Sequence, residues 1–275
     1  MSKNLQETTL QDPDEALAQA RGEAQRATSE ATHAGEGSGV PFSRSAEMGQ
    51  LPAESVPTRA QRRLLATTAL PAREALALQR TVSRTLGTTV MGELGDVGLE
   101  LGLLAADAHS VRAVARGKTA AYSFACPLVV GAVVAGAPDR CEADLWAVGE
   151  CLGVAYQIVD DVREVLVDRA RRSDLRRGKV TTLVERASRH PGWSPVAHLW
   201  GDPALDEAGA AVLRRFFVDS GAVAAGAAEV RELLAEACLR ARALPGDVAR
   251  VVERFAATVE ELLGDAVSGV QEPAG

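Results

Sequence analysis

The chain has 275 residues, 47% of them hydrophobic and only 4% aromatic, and a formal net charge of −7. That length suits one large domain or two small ones, and the acidic balance argues against wholesale binding to nucleic acid or to an anionic membrane. Ala, Leu, Val and Arg dominate and β-branched runs are few, which favours helices packed on helices.

Residues 1–58 are rich in Ser, Thr, Glu, Gln and Gly, with prolines at 13, 41, 52 and 57. Such a stretch buries too little apolar surface to offset the entropy of ordering it, so a disordered tail is expected, with nascent helix over 14–31. Residues 59–268 read as a single helical domain. A short helix is predicted over 59–69. Pro71 opens a longer one to about Ala106, weakened by glycines at 87, 92, 95, 98 and 102 that close approach of a backbone or a ligand would justify. A third helix is predicted over 108–136. A fourth covers 141–168, with Asp139 or Glu142 at its start. The basic loop RARRSDLRRGK follows, then shorter helices near 179–188, 205–219, 221–243 and 246–264, punctuated by Gly221, Pro245 and Gly246. No strand pattern is found, so the fold class is all-α. Cys126, Cys141, Cys151 and Cys238 form no CxxC pair and lie in apolar helical contexts, which reads as free thiols in a reducing, cytoplasmic setting. The apolar run PLVVGAVVAGA over 127–137 is too short to span a bilayer.

The chemistry concentrates in GVAYQIVDDVREV, residues 153–165. On a helical wheel Val148, Leu152, Ala155, Val159, Val162 and Leu166 share one stripe, while Gln157, Asp160, Asp161 and Glu164 fall on the opposite side. A solvated helix face is the alternative reading. Against it, the cluster has no interleaved lysines, only Arg163, and like charges this close destabilise a helix unless a cation neutralises them. A hard divalent cation takes one or two carboxylates and completes its oxygen set from water and substrate phosphate. Three further segments point to phosphate. ARGKTAAY (115–122) sets Lys118, Thr119 and Tyr122 in an apolar helix, Lys118 and Tyr122 one turn apart, although a lone lysine can equally snorkel out of a core. LRRGKVTTL (175–183) places Lys179 and two threonines after a glycine. MGELGDVGLE (91–100) aligns Glu93, Asp96 and Glu100 along one face.

The order of these segments resembles the trans-isoprenyl diphosphate synthase (polyprenyl synthetase) family. YQIVDDVRE is similar to the second aspartate-rich motif FQxxDDxxD, GKTAAY to the KTxxY helix, GELGDV to the G-Q/E-x-x-D segment and GKVTTL to the GKxT segment, over about 60–265. The resemblance implies an all-α isoprenoid synthase bundle that condenses isopentenyl diphosphate with an allylic prenyl diphosphate using magnesium. It implies Asp160, with Asp161 and Glu164, as magnesium ligands. Lys118 and Lys179 would hold the allylic diphosphate, and Thr119 and Gln157 would turn oxygens toward the cation. Tyr122 would offer an aromatic face, and Glu93 and Asp96 would line the same cavity. Glu164 stands where the family usually has Asp. A homodimer, or a heterodimer with a related synthase, is the family habit.

The family's first DDxxD motif and the RRG after it are not found in the sequence. The only upstream acidic cluster is QDPDEA, with Asp12, Asp14 and Glu15 around Pro13. The expectation is an N-terminally incomplete bundle, weak or inactive alone, because one carboxylate cluster anchors only part of the metal that a diphosphate leaving group needs. A non-catalytic partner subunit and a divergent terpene cyclase are the alternatives.

Overall fold

The computed structural model describes residues 71–137, 139–167, 173–245 and 247–268. The expected tail over 1–58, the nascent helix over 14–31, the cluster at Asp12, Asp14 and Glu15 and the helix over 59–69 lie outside the described residues. The described residues are helical and contain no strand, as the composition implies. We label the helices α1 (Ala72–Glu100), α2 (Ala108–Val134), α3 (Glu142–Leu166), α4 (Ser173–Arg177), α5 (Thr182–Ser188), α6 (Glu207–Asp219), α7 (Ala222–Ala241) and α8 (Val248–Ser268).

Boundaries shift where backbone hydrogen bonding wins over periodicity. The second predicted helix stops at Glu100 rather than near Ala106, because the N–H groups of Gly102 and Leu103 bond back to Leu99 and Gly98. Of the two acids expected at the start of α3, Glu142 lies in its first turn and Asp139 does not cap it, and no side chain bonds the helix start. Cys141 is its N-cap residue, and Asp139 accepts from Arg73 Nη2 at 2.9 Å. The helix expected over 179–188 begins only at Thr182, with the Thr181 side chain accepting from the Val184 N–H.

Helix α3 is the centre of the bundle. It packs on α2, α7 and α8, and Val148, Leu152, Val154, Ala155, Ile158, Val159 and Val162 are all buried. Helix α8 closes one side with Val252, Ala256, Val259, Leu263 and Ala266, spaced three or four apart, and α6 adds Leu213 and Phe217. Each such large side chain contributes roughly 1.5–3 kcal/mol on burial.

Helix α2 lies between α1 and α3 at backbone contact. A Cβ on Gly149 would come 2.3 Å from Ala125 Cα, and one on Gly153 would come 2.4 Å from Ala120 Cα. On the other side, a Cβ on Gly92 would lie 2.3 Å from the Lys118 nitrogen, and one on Gly117 would lie 2.7 Å from Gly92 Cα. The close approach that the glycine-rich sequence of α1 called for is thus present at Gly92, whereas Gly87 has no such neighbour within 4 Å. Within α2, residues Arg116–Ala125 wind more widely, in the i→i+5 manner of a π-helix, between regular segments Ala108–Ala115 and Cys126–Val134. The apolar run 127–137 is therefore the end of a longer element. The 27-residue helix that contains it is long and apolar enough, by length and composition, to cross a membrane, and 28% of its most apolar window is buried. All four cysteines are free thiols, as expected, but only Cys141 is buried.

The backbone contact predicts opposite outcomes for two glycine substitutions. Gly149→Ala forces α2 and α3 apart and lowers stability by roughly 1–3 kcal/mol in urea unfolding. Gly87→Ala, in open space within α1, raises it by about 0.5–1 kcal/mol.

Candidate functional site

The wide turns of α2 carry Lys118 and Thr119 on the flank that faces α1 and α3. Because Gly92 and Gly117 touch, the α1 side chains one turn beyond Gly92 meet Lys118 directly. Lys118 Nζ donates to Asp96 Oδ2 at 2.6 Å and lies 3.1 Å from Glu93 Oε2. Burial works against the ammonium charge, but Asp96 and Glu93 outweigh it and hold the Lys118 pKa above the ordinary lysine value. Glu100, one turn past Asp96, is pushed up by burial and by the Asp96 charge. Tyr122 is 51% exposed and stays out of this group.

From α3 comes a chain of hydrogen bonds. Thr119 Oγ1 donates to Gln157 Oε1 at 2.6 Å, and Gln157 Nε2 donates to Asp161 Oδ1 at 2.9 Å. The two residues expected to turn oxygens toward the cation engage each other here, and Gln157 in turn bonds Asp161. Asp161 is 5% exposed, so this side of α3 is not the solvated face of the alternative reading at that position. The loop carrying Lys179 and the side of α2 cover that part of α3, and Asp160 alone of the pair is exposed. Burial pushes the Asp161 carboxyl up to about 7, against the opposing pull of the Gln157 hydrogen bond and of Lys179.

The third contribution is the turn after α4. Gly178, at φ +69°, lets the chain double back, and its backbone touches that of Gly201, at φ +79°. The Gly201 N–H donates to the Leu175 carbonyl at 2.7 Å, and Arg176 donates twice to the Leu205 carbonyl, at 3.2 and 2.8 Å. The turn so braced presents Lys179, whose Nζ lies 3.2 Å from Asp174 Oδ2. Burial lowers the Lys179 pKa, but Asp174, Asp161 and Asp96 together raise it above the usual value. The N–H of Asp174 donates to Glu164 Oε1 at 3.3 Å, so Glu164 supports this turn from the last turns of α3. Asp174 is a site residue that the sequence reading passed over, hidden among arginines in a loop that looks simply basic. Its signal was a lone acid five residues before a lysine.

These elements enclose a cavity of about 40 Å³. Asp96, Lys118, Thr119, Gln157, Asp161 and Lys179 line it together with Thr181 and Thr182, over an apolar floor that includes Val111, Val114 and Val180. Six of the residues singled out from the sequence thus meet in one place. Glu93 reaches it through Lys118, and Tyr122, Asp160 and Glu164 lie outside its lining. Among the described residues no three His, Cys, Asp or Glu side chains are grouped so as to hold a metal ion.

A family model for polyprenyl synthetases matches residues 56–193, half of the chain and all of the segments that build the cavity. The chain belongs to the polyprenyl synthetase family. A geranylfarnesyl diphosphate synthase of Aeropyrum pernix is 37% identical over 102 residues, covering 34% of this chain and 31% of that protein. Among solved structures, a geranylgeranyl pyrophosphate synthase of Corynebacterium glutamicum, complexed with isoprenyl diphosphate and magnesium, superposes with a TM-score of 0.63 at 23% identity. It covers 70% of this chain, and this chain covers 57% of it. A geranylgeranyl pyrophosphate synthetase of Pyrococcus horikoshii Ot3 gives 0.64 at 20% identity, over 73% of this chain and 63% of the other. These structures share the helical fold, and the chain spans less than two thirds of their length. In this member of the family the lysine helix, Asp161 of the aspartate pair and the turn carrying Lys179 meet at one cavity.

A carboxyl whose folded-state pKa lies above its unfolded value binds more protons in the folded protein between the two. Stability from Asp161 therefore falls as pH rises from about 4 to about 7. Without added divalent metal, Asp161→Asn is expected to remove that part of the decline and to unfold at a higher temperature than the parent at pH 8, read from melting curves across pH.

Proposed function

We propose that the chain binds an allylic prenyl diphosphate as its magnesium complex, at the end of the cavity where Lys118, Lys179 and Asp161 meet, in the service of condensation with isopentenyl diphosphate. The observation that carries this is the balance of charge. Each lysine is already paired with a carboxylate, Lys118 with Asp96 and Lys179 with Asp174, and a third carboxylate, Asp161, is buried beside them with its ionisation held back. Such a pocket repels a bare anion and gives a bare cation too few grouped ligands. It suits a cation and a phosphate arriving together, since each supplies what the other's residues lack.

The residues present fit magnesium on the side of donor chemistry. Asp161, with Asp160 beside it and Glu164 one turn on, offers hard oxygen atoms, and a buried carboxylate kept from ionising is one that a cation relieves. Magnesium, when bound, would neutralise charge gathering on the departing diphosphate. The protein's part is positioning. Lys118 and Lys179 exchange one carboxylate contact each for phosphate oxygens, where two fixed ammonium groups favour the charge of the leaving group. Thr119 and Gln157 hold Asp161 in its rotamer. Tyr122 and Tyr156 are both exposed, and Tyr156 stands one helical turn before Asp160 on α3, so either ring would be open to an allylic cation.

A second reading, a subunit that works with another polypeptide, has its own support. Leu76, Val90, Met91 and Leu94 on α1 are about half exposed or more, which leaves four large apolar side chains of one helix open to a partner. A homodimer or a heterodimer with a related synthase would cover it.

Calorimetric titration with magnesium and an allylic diphosphate is expected to show binding that Lys118→Ala and Lys179→Ala each weaken by roughly 10- to 100-fold. Equal affinity in both variants would remove the proposal. Incubation with isopentenyl diphosphate, with the chain alone and with a related synthase added, separates the two readings by whether a longer prenyl product needs the second polypeptide.

A further inference from the structure

A second charge cluster lies directly behind the cavity. Glu229 on α7 is only 9% exposed and takes no part in the cavity lining. One of its carboxylate oxygens pairs with Arg112 and the other with Arg186. Arg112 is on α2, six residues before Lys118. Arg186 is on α5, the helix that follows Lys179 and whose leading residues Thr181 and Thr182 line the cavity. The space around this cluster, about 50 Å³, shares Val111 and Thr182 with the front cavity. The two sites are therefore opposite faces of the same thin partition.

Helix α7 holds α5 at two neighbouring points on one face. At Gly226 the missing side chain lets α5 come close, since a Cβ there would lie 3.2 Å from Leu183 Cδ2. Three residues on, Glu229 fixes α5 through Arg186. An apolar residue at 229 would fill the volume, but it would not define a distance. A carboxylate shared by two guanidinium groups does, because each oxygen has one partner and the geometry of a planar fork is narrow.

We propose that Glu229 is a positioning residue that ties the Lys118 helix to the Lys179 segment and so sets the separation of the two lysines before any ligand arrives. The inference rests on the diphosphate reading given above for what that separation is for. The tie itself is independent of it. Glu229 is the buried member of the cluster, and neutralising it leaves two guanidinium groups without their shared counter-charge at the joint between these elements.

The test is hydrogen exchange read by mass spectrometry on the full chain, alongside titration with magnesium and inorganic diphosphate. Glu229→Gln is expected to speed exchange in 108–119 and in 179–188 by about tenfold while leaving 248–268 unchanged, and to weaken diphosphate by about tenfold. Glu229→Asp, which keeps the charge, is expected to recover part of both. Arg112→Ala is expected to loosen 108–119 alone. The proposal is overturned if Glu229→Gln exchanges like the parent, if exchange rises evenly through 248–268, or if Arg112→Ala loosens both segments. Should Glu229→Gln fail to fold, the Arg112→Ala pattern decides. If the parent chain binds no diphosphate, the functional reading fails, and the exchange pattern still decides whether Glu229 is the tie.

Discussion

Everything at the site depends on α2 being pressed, backbone to backbone, between α1 and α3. Gly92 against Gly117 on one side, and Gly149 and Gly153 against Ala125 and Ala120 on the other, bring three helices closer than side chains would allow. That spacing is what places Lys118 on Asp96 and Thr119 on Gln157 with direct hydrogen bonds. Helices separated by ordinary side chains lie 8–10 Å apart, roughly, at their axes, and a lysine crossing a wider gap would reach a carboxylate only by extending fully. The glycines cost helix propensity, about 1 kcal/mol each, and the return is a polar group held by the backbone framework rather than by side-chain reach.

Within that framework the charges are arranged as linked pairs. Lys179 with Asp174 is formally neutral, Lys118 with Asp96 and Glu93 carries one negative charge in excess, and Asp161 lines the same cavity. Paired charges of this kind are poor sources of stability, because desolvation offsets most of the attraction. Their presence in a partly open cavity is better understood as readiness to exchange partners. In the second layer one buried carboxylate, Glu229, is shared by two arginines on different helices, an arrangement that suits support.

The all-α fold, the main helices and the four motifs were legible in the sequence because apolar periodicity and motif spacing are local properties. What escaped was non-local. A helical wheel gives the direction of Asp161 around the axis of α3 but not what covers it, and the covering loop comes a dozen or more residues later. The widened turns over Arg116–Ala125 left no distinct mark in RGKTAAYSFA, where Gly117 reads equally as a packing glycine in a regular helix. Asp174 was obscured by its arginine neighbours, and Glu229 looks on a wheel like one more acid on a long helix. Its burial follows from the arrival of α2 and α5, which no periodicity in α7 encodes.

The contact between Gly178 and Gly201 gives the molecule a built-in optical reporter. Two of its three tryptophans, Trp193 and Trp200, are stacked edge to face at 6.2 Å, in a cluster with Phe216 and Phe217. Trp200 also borders Gly178, immediately before Lys179. A displacement of the lysine turn would thus be passed across touching backbones to an indole, and ultraviolet emission from the unlabelled chain would register events at the Lys179 end of the cavity.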